Sequence, residues 1–199
     1  MVAGDRQLAG GRRRPKVFIS YAHDSPEHVD DVCRLAELLH TNGCDIWIDQ
    51  QIAERVGWGE LTGAKIEDAD YVLAIASPAF QRVGDDHVPY DQNRGARAEL
   101  GLLRELLQAD GHRWTRKVLP VLLPGRTEAD VPRFLQPHNR TRYTVTDFTV
   151  TGAEELIRVL TDQPVYRLPE PGDAPHLPPR QLAPRRAKPD AGPTAMPRT

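Results

Sequence analysis

The apolar residues of this chain follow two patterns that alternate along its length. Residues 16–20 (KVFIS), 44–49 (CDIWID), 70–76 (DYVLAIA) and 117–123 (KVLPVLL) are short, largely unbroken apolar runs of strand length. Runs that are apolar on both faces belong inside a parallel sheet. Between them lie stripes of helical period. Val29, Val32, Cys33, Ala36 and Leu39 form the first, opened by Ser25 as a cap with Pro26 at the first helical position and closed by Asn42-Gly43. A second helix follows the loop 50–57 and runs through Ile66, and a long third one spans 92–108 (QNRGARAELGLLRELLQ). A short segment around Val131 to Leu135 then leads to an edge strand at 142–146 and a last helix at 153–161. Strands alternating with helices predict an α/β domain whose parallel sheet is covered on both faces. Ligands bind such sheets at the carboxyl ends of the strands. That edge holds residues 20–24 after the first strand, 49–58 after the second and Ser77-Pro78 after the third.

One position breaks the pattern. At about 100° per residue, Ala96, Leu100, Leu103, Leu106 and Leu107 gather in one arc of the long helix, and Glu99 projects into it between Leu103 and Leu106. Arg97, Arg104, Glu105 and Gln108 fall on the opposite, solvated side. A carboxylate at a core edge is costly without a partner or a task, and desolvation raises its pKa. The alternatives are a structural Glu that bends out or pairs with an Arg, and a working carboxylate near the carboxyl edge of the sheet.

Composition narrows the class. A formal charge of −2 gives no general argument for nucleic-acid binding, and no apolar run approaches the roughly 20 residues that span a membrane. Residues 1–15 read as a disordered leader whose Arg12, Arg13 and Arg14 form a solvated cluster, without the apolar stretch of a signal peptide. The C-terminal residues 164–199 hold ten prolines and almost no aliphatic side chains, so they cannot bury a core and read as an extended tail. Its PHLPPR at 175–180 is a plain linker or a short polyproline ligand. Cys33 and Cys44 form no CxxC and read as buried thiols, and the chain reads as cytoplasmic.

Missing motifs exclude several enzymes of this architecture. No GxGxxG follows a strand, and there is neither a GxxxxGK[ST] loop nor a GxSxG elbow. His23, Asp24 and Ser25 are consecutive and cannot converge into a triad, and no His/Cys spacing suits a metal. A phosphoacceptor receiver would close its third strand with an aspartate, where this chain has Ala76-Ser77.

The remaining pieces are recognisable together. VFISYAHDSPEH, CDIWID with its loop, DYVLAIASPAF, VPYDQNRGARAEL, VLPVLLPG and the closing LTDQP, in this order and spacing, resemble the SEFIR family, relatives of the TIR domains. The resemblance covers 16–165, leaving 1–15 as leader and 166–199 as tail. It implies a flavodoxin-like three-layer sandwich with a five-stranded parallel sheet. It also implies two kinds of work: homotypic recruitment between SEFIR or TIR proteins, and hydrolysis of NAD in immunity, including phage defence by bacterial members. Glu99, in the ARAEL segment, matches the place of the TIR catalytic glutamate. NAD enters as substrate, with no resident cofactor. Ser20 and the start of the first helix are candidates for phosphates, a helix cap being the alternative. Tyr21 and Trp58 are candidates for stacking on a ring or for packing, Asp49 for a ribose hydroxyl or a plain loop role, and Ser77 for a substrate contact or a turn. The loop 50–59 corresponds to the one TIR relatives use between subunits, which marks Ile52, Val56, Gly57 and Trp58 as an assembly surface or as residues folded onto the core. Two departures stand out. Asn93 to Ala96 replace the Trp-Cys pair that precedes the glutamate in many TIR domains, and the insertion 81–89 fits SEFIR better than TIR. A non-enzymatic adaptor and a nucleoside-transferring enzyme remain as other readings.

Overall fold

The computed structural model describes residues 13–49, 58–89, 92–138 and 141–180. One compact unit ends at Tyr166; from Arg167 a separate unit begins, whose residues 167–180 carry neither helix nor strand. The compact unit runs β1 (Lys16–Ser20), α1 (Pro26–Thr41), β2 (Asp45–Trp47), α2 (Trp58–Asp68), β3 (Tyr71–Ile75), α3 (Pro78–Gly84), α4 (Arg94–Ala109), α5 (Gly111–Lys117), β4 (Val118–Leu122), a 3₁₀ turn (Glu128–Asp130), α6 (Leu135–His138), β5 (Tyr143–Thr144) and α7 (Glu154–Leu160). The strands form one parallel sheet in the order β2-β1-β3-β4-β5. This is the flavodoxin-like α/β sandwich.

Strand parity assigns each side chain to a layer. Val17, Ile19, Leu73, Ile75, Leu119 and Val121 face α1 and α7, joining Val32, Leu35, Leu39, Leu156 and Leu160 in one core. Phe18, Val72, Ala74, Val118 and Leu122 face the other way, onto Ile66 of α2, Phe80 of α3, Leu100, Leu103 and Leu107 of α4 and Trp114 of α5. Ser20, two residues after Phe18, shares its face and so points toward α4.

Pro120 lies inside β4, where a missing amide would normally break the ladder. Val121 O accepts from Ala76 on the β3 side, and Leu122 O accepts from Val145 on the β5 side. Residue 120 therefore points with 122 toward β5, whose pairing begins only at Val121↔Tyr143. Among the described residues the absent donor faces no partner strand.

The sequence reading needs four corrections. First, 78–84 is a helix, not part of a plain turn and insertion: Ser77 caps it, its Oγ accepting from Phe80 N at 3.1 Å, with Pro78 opening the first turn. Second, α5 precedes β4 where only a strand was expected. Third, Arg97 and Arg104 are half-buried instead of solvated, because the end of α3 lies beside α4. Arg97 reaches Asp86 Oδ1 at 3.2 Å and Val88 O at 2.7 Å, while Arg104 reaches Asp86 Oδ2 at 3.2 Å and lies over the Phe134 ring. Fourth, Cys33 is half-buried, since the buried stripe of α1 runs through His28, Val32, Leu35 and Leu39, whereas Cys44 is buried and its thiol is pushed up to about 11. At the other end of α1, Asn42 is the C-cap and Gly43 takes the left-handed φ of 98° that turns the chain into β2.

Like Ser25, Ser77 caps a helix opened by a proline, and its hydroxyl is wholly buried. Ser77→Ala is expected to cost about 1 kcal/mol of stability, read as a lower urea midpoint.

Candidate functional site

Glu99 sits on the sheet-facing side of α4, in the second turn, among Ala96, Leu100 and Leu103. The residue is only 6% exposed. Ser20 ends β1 directly opposite, and its Oγ donates to Glu99 Oε2 at 2.6 Å. Burial pushes the carboxyl pKa up to about 8; the hydrogen bond from Ser20 opposes this, and the nearby negative charge of Asp49 adds to it. The arginines that could have neutralised Glu99 from its own helix, Arg97 and Arg104, are both turned to Asp86. Among the described residues no cation pairs with Glu99.

The next residue along β1 extends the cluster. Tyr21, 5% exposed, donates from its hydroxyl to Asp49 Oδ1 at 2.7 Å, tying the end of β1 to the end of β2. Its ring is stacked on His23, with centroids 5.1 Å apart and planes 17° apart, and is tilted against His28 at 6.4 Å. His23 Nε2 lies 2.9 Å from Asp49 Oδ2, so the Asp49 carboxylate is held at both oxygens. The three consecutive residues dismissed as a triad do diverge. His23 turns to Asp49, Asp24 pairs with Arg126 at 3.6 Å, and Ser25 caps α1 by accepting from His28 N at 3.2 Å. His28 is almost wholly buried, and that burial, with Arg126 close by, lowers its pKa.

Ser20, Tyr21, Asp49 and Glu99 thus meet at one carboxyl edge, as the sequence grouped them. Ser77 stands at the carboxyl end of β3, its oxygen engaged as the α3 cap. Trp58 opens α2, but its side chain lies outside the described residues, as do Ile52, Val56 and Gly57 entirely. The sequence places His23 at the ligand edge with residues 20–24 but does not pair it with Asp49. The two are 26 positions apart, and only the adjacency of β1 and β2 brings them together.

A groove of about 670 Å³ opens at the opposite edge, by the amino ends of the strands, lined in part by Asp68, Asp70, Tyr71, Arg113 and Lys117. Its buried Lys117 donates to Glu67 O at 2.7 Å and lies over the Trp114 ring at 4.4 Å. That lysine closes the carbonyl end of α2 and has no part in the Glu99 cluster.

The fold and this cluster can be set beside known proteins. A family model for the TIR domain matches residues 17–159. The crystal structure of a prokaryotic SEFIR domain superposes with a TM-score of 0.54 at 22% identity, covering 79% of this chain and 99% of that one. No curated protein matches the sequence. The matched span runs from β1 into α7 and includes the carboxyl edge with Glu99, Ser20 and Asp49: the chain belongs to the TIR domain family and has the fold seen in a prokaryotic SEFIR domain.

Proposed function

We propose that this domain hydrolyses NAD to nicotinamide and ADP-ribose when copies of it self-assemble in the cytoplasm, with Glu99 as the essential carboxylate. The observation that carries the reading is a nearly buried carboxylate, without a cation among the described residues, at the edge where such sheets take ligands. Structural carboxylates at that depth are ordinarily paired. The chemistry suits a single acid. Nicotinamide leaves as a neutral base from a pyridinium cation, so the departure needs no general acid. The ribosyl oxocarbenium ion needs a nearby anion, and the ribose hydroxyls need an acceptor; one carboxylate supplies both. Burial keeps Glu99 protonated at rest, and an arriving pyridinium cation favours the ionised form. Its charge therefore develops when the substrate is present.

In this reading Ser20 orients the carboxylate and, with the start of α1, faces the phosphates. Asp49 receives a ribose hydroxyl, Tyr21 and Trp58 border the bases, and Ser77 lies on the rim. The loop bearing Ile52, Val56, Gly57 and Trp58 meets the next copy. Depleting NAD on assembly fits a role in defence against phage. The depth of Glu99 also favours a second reading. A carboxylate 6% exposed in the single chain is nearly sealed, and a non-enzymatic adaptor that binds its own kind or another SEFIR or TIR protein needs no open site.

Nicotinamide release by the full chain and by Glu99→Gln, each dilute and concentrated with a crowding agent, separates the two. Release that rises on assembly and falls by at least about 10²-fold in the variant supports the enzyme. Release that survives in the variant removes Glu99 from the role. No release from either, with oligomers present, makes this an adaptor.

A further inference from the structure

The Glu99 cluster contains a second group able to carry a proton. His23 lies three residues beyond β1, braced on its edge by Asp49 at 2.9 Å and on its face by the Tyr21 ring. Tyr21 in turn holds the other oxygen of Asp49. Asp49 engages Nε2, so in the neutral ring that donates to it Nδ1 is the nitrogen with the lone pair. Among the described residues nothing is bonded to Nδ1, and the side chain is 51% exposed. An imidazole oriented by a carboxylate, with its second nitrogen open, is the arrangement of a general base. It stands over the same end of β1 as Glu99, where the two faces of the sheet meet. Ser20 leaves that end toward α4 and bonds Glu99, Tyr21 leaves it toward α1 and bonds Asp49, and the charge of Asp49 is felt at Glu99. The other charged groups on this side are engaged with each other, Asp24 with Arg126, and His28 is buried against Tyr21.

We propose that His23 is the general base for hydrolysis, taking a proton from the water that attacks C1′ of the ribose; the proposal rests on the NAD reading given above. The C1′–N bond breaks with its electron pair going to nicotinamide, which leaves neutral. The water oxygen forms the new C1′–O bond, and one water proton passes to His23 Nδ1. The imidazolium that results is held by Asp49 and returns its proton to solvent, which its exposure allows. In the NAD reading Glu99 is already engaged with the oxocarbenium ion and the ribose hydroxyls, and it accepts from Ser20, which leaves the water to a second group.

Two reactions of the same substrate test the assignment: hydrolysis of NAD, and exchange of its nicotinamide for isotopically labelled nicotinamide. Water must lose a proton as it attacks, and nicotinamide has none to lose. His23→Gln, at a half-exposed position that accommodates the amide, is expected to slow hydrolysis about 10²-fold while exchange stays within a few-fold. Equal losses of both reactions would make His23 a structural group, and undiminished hydrolysis would remove it from the reaction. A wild-type chain that performs neither reaction overturns the NAD reading and this assignment together. Wild-type turnover of both, lost in Glu99→Gln but unaltered in ratio by His23→Gln, overturns this assignment alone.

Discussion

Raising the pH from about 4.5 to 8 is expected to weaken the folded domain by up to about 5 kcal/mol through Glu99 alone. In that window the folded chain keeps a proton on Glu99 that the unfolded chain has released, so stability falls as pH rises. The contribution is full below about pH 4.5 and lost once the pH passes about 8. Urea midpoints across a pH series, for wild type and Glu99→Gln, isolate it, because every other titrating group is common to both. His28 is the main opposing group. Its lowered pKa stabilises the domain above the ordinary histidine range and weakens it as pH falls, equally in the two proteins. The variant should lack the fall with rising pH and become the more stable protein in mild alkali. Parallel curves would mean that Glu99 is hydrated in solution, which would also remove the ground for treating it as a poised carboxylate.

The second large effect is expected at Leu103, one turn beyond Glu99 on the same face of α4. It is wholly buried in the core formed with Phe80 and Val72. Leu103→Ala should cost about 2–5 kcal/mol, the span reflecting how far α3 and α4 can close the cavity. Glu105→Ala, on the exposed side, should stay within about 0.5 kcal/mol. Because the seating of α4 sets the depth of Glu99, Leu103→Ala should also flatten the pH dependence described above. A Leu103→Ala protein with wild-type stability would show that α4 is not held by this face.

The contrast between those two positions also shows what a sequence can reveal. Contiguous apolar runs marked β1, β3 and β4 because central strands of a parallel sheet are buried on both faces. The Ser25-Pro26 pair marked α1 because a cap and a first-turn proline are local. Ser77-Pro78 carries the same pair, yet α3 escaped notice, since seven residues are too few to display a period before Asp85 ends it. α5 escaped for a related reason: in GHRWTRK only Trp114 is apolar enough to register. Glu99 was legible because a charge in an apolar arc is visible within one helix. Its neighbours Arg97 and Arg104 were misplaced because what draws them inward is Asp86, held at a positive φ of 59° by an insertion whose path the helix pattern cannot predict. His23 and Asp49 were invisible as a pair for the plainest reason: the order of strands in the sheet, which brings them together, is a property of the whole chain.

The borders of the sheet carry a consequence for how this domain behaves when many copies crowd together. β2 has three residues and β5 two, so each flank offers a neighbour very few free amides and carbonyls. Long, flat borders let identical chains zip into continuous ribbons that rarely come apart. In the self-assembly proposed above, borders this short leave side chains on helices and loops to join the copies. Such joints form and dissolve with concentration, so the proposed assembly should come apart again on dilution.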